Sequence, residues 1–156
     1  MKIDYKKLFI CLALPQLAGF IGSTFTIKSI SSWYDLLVKP SFSPPNTLFA
    51  PVWTILYLLM GIASYIIWEN KSKDAKDFMQ VYWVHLVFNA VWSIIFFGYK
   101  DILLALFDIC VILILVLWMV IKAYKIDKKV SYLLVPYFLW ISYATVLNFY
   151  LAFFNK

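Results

Sequence analysis

Apolar runs of about 20 residues alternate with short polar breaks along nearly the whole chain, and the breaks set the elements. The runs cover residues 8–27, 47–68, 78–98, 102–121 and 132–154. Each is long enough for one helix to cross a hydrocarbon core about 30 Å thick. Strands of a membrane barrel would need about 10 residues of strict alternation, and stretches such as 109–121 do not alternate. The pattern therefore predicts an all-α integral membrane bundle of five transmembrane helices, whose backbone polar groups are satisfied within each helix. No internal repeat or low-complexity linker divides the chain, so residues 1–156 read as one five-helix membrane domain.

The breaks differ in kind. Residues 69–77 and 123–131 are short links, and 99–101 is a tight turn that makes the third and fourth helices antiparallel neighbours. The first break, residues 28–46, is long for a compact bundle. Its Trp33, Tyr34, Leu36 and Leu37, with Phe42 and Phe49, supply apolar area that favours burial over disorder. Pro40, Pro44 and Pro45 restrict its backbone, the last two near a helix start where proline is tolerated. A long structured loop between helices one and two, capping one mouth of the bundle, is the expectation. Pro15 and Pro51 fall within runs, where they open the helical ladder, and Pro136 falls in the first turns of the last helix. Ala18 with Gly22 and Gly19 with Ser23 permit close helix approach, inside the bundle or between copies.

Composition sharpens this picture. With 64% hydrophobic and 14% charged residues, a water-soluble surface is excluded. The formal net charge of +6 does not point to nucleic acid, because the lysines lie in the breaks rather than along one stripe. Lys2, Lys6 and Lys7 precede the first run, Lys71, Lys73 and Lys76 fill the second break, and Lys122, Lys125, Lys128 and Lys129 surround the fourth. Only Lys28, Lys39, Lys100 and Lys156 fall on the other side. This asymmetry predicts a multi-pass cell-membrane protein with a cytoplasmic N-terminus, an external C-terminus and an external first loop. The basic start resembles a signal peptide, but the run continues to Ile27 without a small-residue cleavage site, as an uncleaved first helix would. Cys11 and Cys110 both fall within runs and read as packed, inert thiols.

Of the seven Trp residues, Trp68, Trp83 and Trp118 sit at run ends and fit a cytoplasmic interfacial belt. Trp53, Trp92 and Trp140 lie roughly 10 Å or more inside their runs, where an indole N–H needs a protein or ligand partner. His85, Asn89, Trp92 and Phe96 share one face of the third helix, and Trp140, Ala144, Leu147 and Asn148 one face of the fifth. Polar side chains within spans tend to face inward, so these stripes are expected to meet, with Trp53 joining from the second helix. Asn89 and Asn148 then either hold helices together or orient a ligand. Asp108 is the one acid well inside a run; it is expected to make a structural hydrogen bond, within reach of Asn89 or Trp92. His85 has no ligating companions, so it is read as a hydrogen-bonded packing residue, and no metal site is expected. No Ser–His–Asp arrangement, phosphate-binding glycine loop or carboxylate pair supports hydrolysis or phosphoryl transfer. A cavity of aromatic rings with a few amides suits a large, flat, apolar ligand.

Trp33-Tyr34 through Lys39-Pro40, Pro44-Pro45, Pro51-Val52-Trp53, Leu56-Tyr57 and Met60-Gly61 resemble the tryptophan-rich sensory protein/translocator protein (TspO) family, also called the peripheral benzodiazepine receptor family. The resemblance continues through Asn89-x-x-Trp92, Phe96-Phe97-Gly98, Asp108, Val135-Pro136-Tyr137, Trp140, Ala144 and Leu147-Asn148, so it spans essentially the whole chain. It implies a five-helix bundle, usually a homodimer in membrane lipid, with a pocket under the first loop for porphyrins such as protoporphyrin IX, for sterols in some members and for benzodiazepine-type ligands. Tyr34, Trp53, Asn89, Trp92, Trp140, Ala144, Leu147 and Asn148 would bind the ligand, and no cofactor is required. The implied role is sensory or transport-related in tetrapyrrole homeostasis and oxidative stress, the alternatives being a porphyrin or sterol transporter and an enzyme. Some bacterial members promote light- and oxygen-dependent breakdown of protoporphyrin, which would make Trp53 and Trp140 the catalytic residues. Leu147, Tyr150 and Lys156 also fit a loose sterol-contact pattern. Exclusive use of lysine for basic charge, with abundant Ile and Phe, fits a bacterial source.

Overall fold

The computed structural model describes residues 3–155 and contains five long helices. They are α1 (Tyr5–Ile30), α2 (Phe49–Glu69), α3 (Lys73–Ser93), α4 (Ile102–Ile126) and α5 (Lys128–Phe154), and no strand forms among the described residues. Each helix is long and apolar enough to cross a membrane. The starts of α1, α3, α4 and α5 are set by polar caps: Asp4, Ser72, Asp101 and Asp127 accept from the backbone N–H groups of Lys7, Ala75, Leu104 and Lys129. Such caps satisfy amides that the first turn leaves free, so α3 and α5 begin about one turn outside their apolar runs.

Two prolines are placed differently from expectation. Pro51 is only the third residue of α2, where its missing N–H breaks no intrahelical bond. Pro136 lies inside α5 rather than at its start, because Asp127 begins that helix earlier. Pro15 is interior to α1 as expected.

Around the bundle the neighbour order is α1, α2, α5, α4, α3 and back to α1. The tight turn between α3 and α4 is built in two steps. The last turn of α3 widens into a π-helical segment, Ile94–Tyr99, and Lys100 then takes a left-handed conformation (φ 59°) that ends it. A wide turn carries more residues per revolution, and consecutive Phe96 and Phe97 are both buried there. Gly22 faces Ser93, and Gly61 faces the Cys11 carbonyl at a distance that leaves no room for a Cβ. Gly22 of α1 thus serves close packing within the chain, against α3.

At the end bearing Trp68, Trp83 and Trp118, Lys7 pairs with Glu69 at 2.7 Å, and Lys122 with Asp74 at 2.6 Å. Lys7 also lies over the Trp68 ring and Lys122 over Trp118, as expected of an interfacial belt. Lys2 and Lys156, used in the charge count and the sterol pattern, lie outside the described residues.

A capped aromatic cavity as candidate ligand site

Between α1, α2, α3 and α5 lies a cavity of about 600 Å³. All eight residues expected at the site line it: Trp53 from α2, Asn89 and Trp92 from α3, Trp140, Ala144, Leu147 and Asn148 from α5, and Tyr34 from the connecting loop. No residue of α4 reaches it, since α4 packs behind α3 and α5.

The loop forms the roof. Short 3₁₀ turns at Tyr34–Leu36 and Asn46–Leu48 fold it back over the bundle. Tyr34, only 2% exposed, meets Phe49, Phe96 and Phe97 with ring centroids 5.8–6.3 Å apart. Asp35 accepts from Lys39 Nζ and Asn46 Nδ2, both at 2.9 Å, which holds its carboxyl below its usual pKa. Farther along, Tyr143 donates to the Phe42 carbonyl at 2.7 Å. The Asn155 side chain accepts from Val38 N–H at 2.7 Å and donates to Val38 C=O at 3.1 Å, fastening the loop to the end of α5. Leu36 and Phe42, expected to be buried, are 79% and 48% exposed; Tyr34 and Trp33 occupy the space over Phe96 and Phe97, and Phe42 lies against Tyr143 and Tyr150 instead.

The amides within the bundle hold helices together while lining the cavity. Tyr57 donates to Asn89 Oδ1 at 2.6 Å, and Asn89 Nδ2 donates to Tyr137 Oη at 3.0 Å, so one amide ties α2, α3 and α5. Trp92 Nε1 donates to Asn148 Oδ1 at 3.2 Å, and Asn148 Nδ2 donates to the Ile102 carbonyl at 3.0 Å. One donor of each of Asn89, Trp92 and Asn148 is thereby paired. Two others are not: Tyr34 Oη and Trp140 Nε1 are buried with no partner among the described residues. Burial pushes the Tyr34 phenol up to about 12, so it stays a neutral O–H donor. Both face the same cavity, and Phe49 touches both rings.

His85 packs as expected, fully buried with Nε2 2.7 Å from Tyr137 Oη. No group of three metal-ligating side chains forms among the described residues. Asp108 departs from expectation. It is buried on α4 with Oδ2 unpartnered, and Asn89 and Trp92 bond elsewhere. Cys110 departs too: it lies exposed on the outer face of α4, while Cys11 is buried as predicted.

Several wall residues were not anticipated. Gln16, Gly19, Phe20 and Ser23 form an α1 wall, and Tyr57 and Tyr143 extend the aromatic one. Their signal was available: 16, 19, 20 and 23 share a helical face, Tyr57 lies four residues after Trp53, and Tyr143 three after Trp140.

A five-helix membrane bundle with a loop-capped aromatic cavity defines the class. The TspO/MBR family profile matches residues 11–154, and the chain belongs to that family. It is 44% identical to tryptophan-rich protein TspO of Archaeoglobus fulgidus over 131 residues, covering 84% of this chain and 85% of that one. Identity to TspO of Chlorobaculum tepidum is 40%, over 91% of each chain. The translocator protein of Bos taurus is 33% identical, over 87% of this chain and 82% of its own.

Proposed function

We propose that this membrane protein binds a flat, largely apolar ligand of the tetrapyrrole class, with protoporphyrin IX the leading candidate, in a sensory or transport role. The observation that carries this reading is the cavity: about 600 Å³, walled by Trp53, Trp92 and Trp140, and presenting the unpartnered Tyr34 and Trp140 donors. Its volume falls within the range of about 300–1,000 Å³ usual for small-molecule sites. Aromatic walls supply area and stacking for a planar body, while the two donors select a ligand that carries an acceptor such as a carboxylate. The names of the relatives, tryptophan-rich protein and translocator protein, accord with this reading. The test is substoichiometric quenching of Trp fluorescence by protoporphyrin IX in the dark, compared with Trp53→Phe/Trp140→Phe. Unchanged affinity in the double variant overturns the reading.

A second reading, light- and oxygen-dependent porphyrin breakdown, draws support from Trp53 and Trp140 facing one cavity from different helices. A defined product, formed faster than with an unrelated solubilised membrane protein, supports it; the mixture given by free porphyrin in micelles refutes it. The lysine asymmetry further supports a cytoplasmic N-terminus and a cap on the outer face. Labelling of single cysteines at positions 41 and 71 from one side of sealed vesicles tests that orientation.

A further inference from the structure

We propose that the buried Tyr137–His85 pair is a proton-coupled redox site that re-reduces an oxidised Trp53 at the cavity wall. The proposal rests on the reading of the cavity as a chromophore site.

Trp53 lines the cavity and touches two phenols, Tyr57 of the same wall at a centroid distance of 5.2 Å and Tyr137 behind it at 6.2 Å. The hydrogen bonds of these phenols run in one direction. Tyr57 O–H donates to Asn89 Oδ1, and Asn89 Nδ2 donates to Tyr137 Oη. The Tyr137 proton then has one acceptor in reach, His85 Nε2 at 2.7 Å. His85 Nδ1 is buried without a partner, so either tautomer leaves one donor unpaired, and the relay uses the Nδ1–H form, in which Nε2 accepts from Tyr137. Tyr137 and His85 are both wholly buried.

This distinguishes the two phenols chemically. A phenol that loses an electron becomes a strong acid and must release its proton. Tyr57 faces an amide oxygen, which is not a base, whereas Tyr137 faces an imidazole within the 2.6–3.2 Å reach of a general base. The step is then balanced. A light-excited, electron-accepting planar chromophore in the cavity takes one electron from Trp53 and becomes its radical anion. The indole cation radical takes one electron from Tyr137, and the phenolic proton passes to His85 Nε2. One electron has moved from Tyr137 to the chromophore, and one proton from oxygen to nitrogen; no bond to the chromophore forms or breaks. The product is a neutral tyrosyl radical beside an imidazolium. Burial of that cation disfavours the separated state, so the proton returns to oxygen when the chromophore radical anion gives its electron back to Tyr137. The hole leaves the cavity wall, and Trp53 is spared irreversible oxidation.

The experiment uses the full chain in detergent, illuminated and frozen for electron paramagnetic resonance. Two photo-oxidants are compared: protoporphyrin IX, and a quinone dissolved in the detergent phase whose access does not depend on the proposed ligand. His85 is the chain's one histidine, so protein labelled with ¹⁵N-histidine reports on it alone. The expected result is a tyrosyl radical with ¹⁵N-imidazole coupling in the native chain, retained in Tyr57→Phe and lost in Tyr137→Phe and His85→Gln. An absent ¹⁵N coupling, or an undiminished tyrosyl signal in Tyr137→Phe, overturns the proposal, and the first of these readouts needs no variant to fold. A coupled radical with the quinone but none with protoporphyrin IX upholds the relay and counts against the ligand reading instead.

Discussion

Replacing Tyr34 by Phe removes one oxygen and leaves the ring contacts with Phe49, Phe96 and Phe97 in place. That oxygen is buried and unpartnered in the ligand-free chain, and an unmade hydrogen bond of this kind costs about 1–3 kcal/mol. Tyr34→Phe should therefore leave the empty protein at least as stable as the native chain, although most substitutions at a buried position destabilise. With ligand the sign reverses. A hydrogen bond to a charged acceptor contributes about 1.5–3 kcal/mol, so affinity for a carboxylate-bearing planar ligand should fall about 10- to 150-fold. Affinity for an uncharged planar hydrocarbon of similar size should hardly change. Thermal unfolding in detergent without ligand, and fluorescence titrations with the two ligands, read the two effects separately. A clear loss of stability in the empty variant would show that the hydroxyl has a partner, and equal affinity for the carboxylate would show that it does not meet the ligand. Either result refutes the reasoning.

Asn155→Ala removes both hydrogen bonds to Val38, each contributing about 0.5–1.5 kcal/mol, and should speed amide exchange across residues 34–48 while leaving the helices protected; unchanged exchange would mean that the aromatic contacts alone hold the cap. A Cβ at Gly61 would stand 2.6 Å from the Cys11 carbonyl, and one at Gly22 would stand 2.7 Å from the Ser93 hydroxyl and 2.9 Å from the Ser93 Cβ, which no side-chain rotation moves. Gly61→Ala and Gly22→Ala should thus each cost about 1–3 kcal/mol, and unchanged unfolding midpoints would show instead that α1 can shift freely. The lowered Asp35 pKa means that its contribution to cap order is full above the unfolded-state value and is lost as pH falls through the lower folded value. Cap protection, the intrinsic exchange rate relative to the observed rate at each pH, should accordingly be flat above about pH 5 and fall only below about pH 4, and Asp35→Asn should abolish that fall; a transition near neutrality would point to a different group.

Much of the architecture was legible in the chain because a bilayer imposes one length scale and forbids unsatisfied backbone. Five runs therefore became five helices, 99–101 became a tight turn, and the aromatic, proline-rich first loop became an ordered roof. Side-chain periodicity also grouped Asn89 with Trp92, and Trp140 with Ala144, Leu147 and Asn148, on faces that meet in one cavity. Periodicity gives direction around a helix axis; it does not give a partner. Hence the sequence left open whether the amides were free, and only the assembled bundle showed Asn89 and Asn148 bonded across helices, to Tyr137 and to the Ile102 carbonyl, while Tyr34 and Trp140 kept unpaired donors. Asp108 shows the same limit. Its depth along α4 matched that of the site, but the neighbour order put α4 behind α3 and α5, out of reach of the cavity. Which helix stands between which others is fixed by packing among all five at once, and no single segment carries that information.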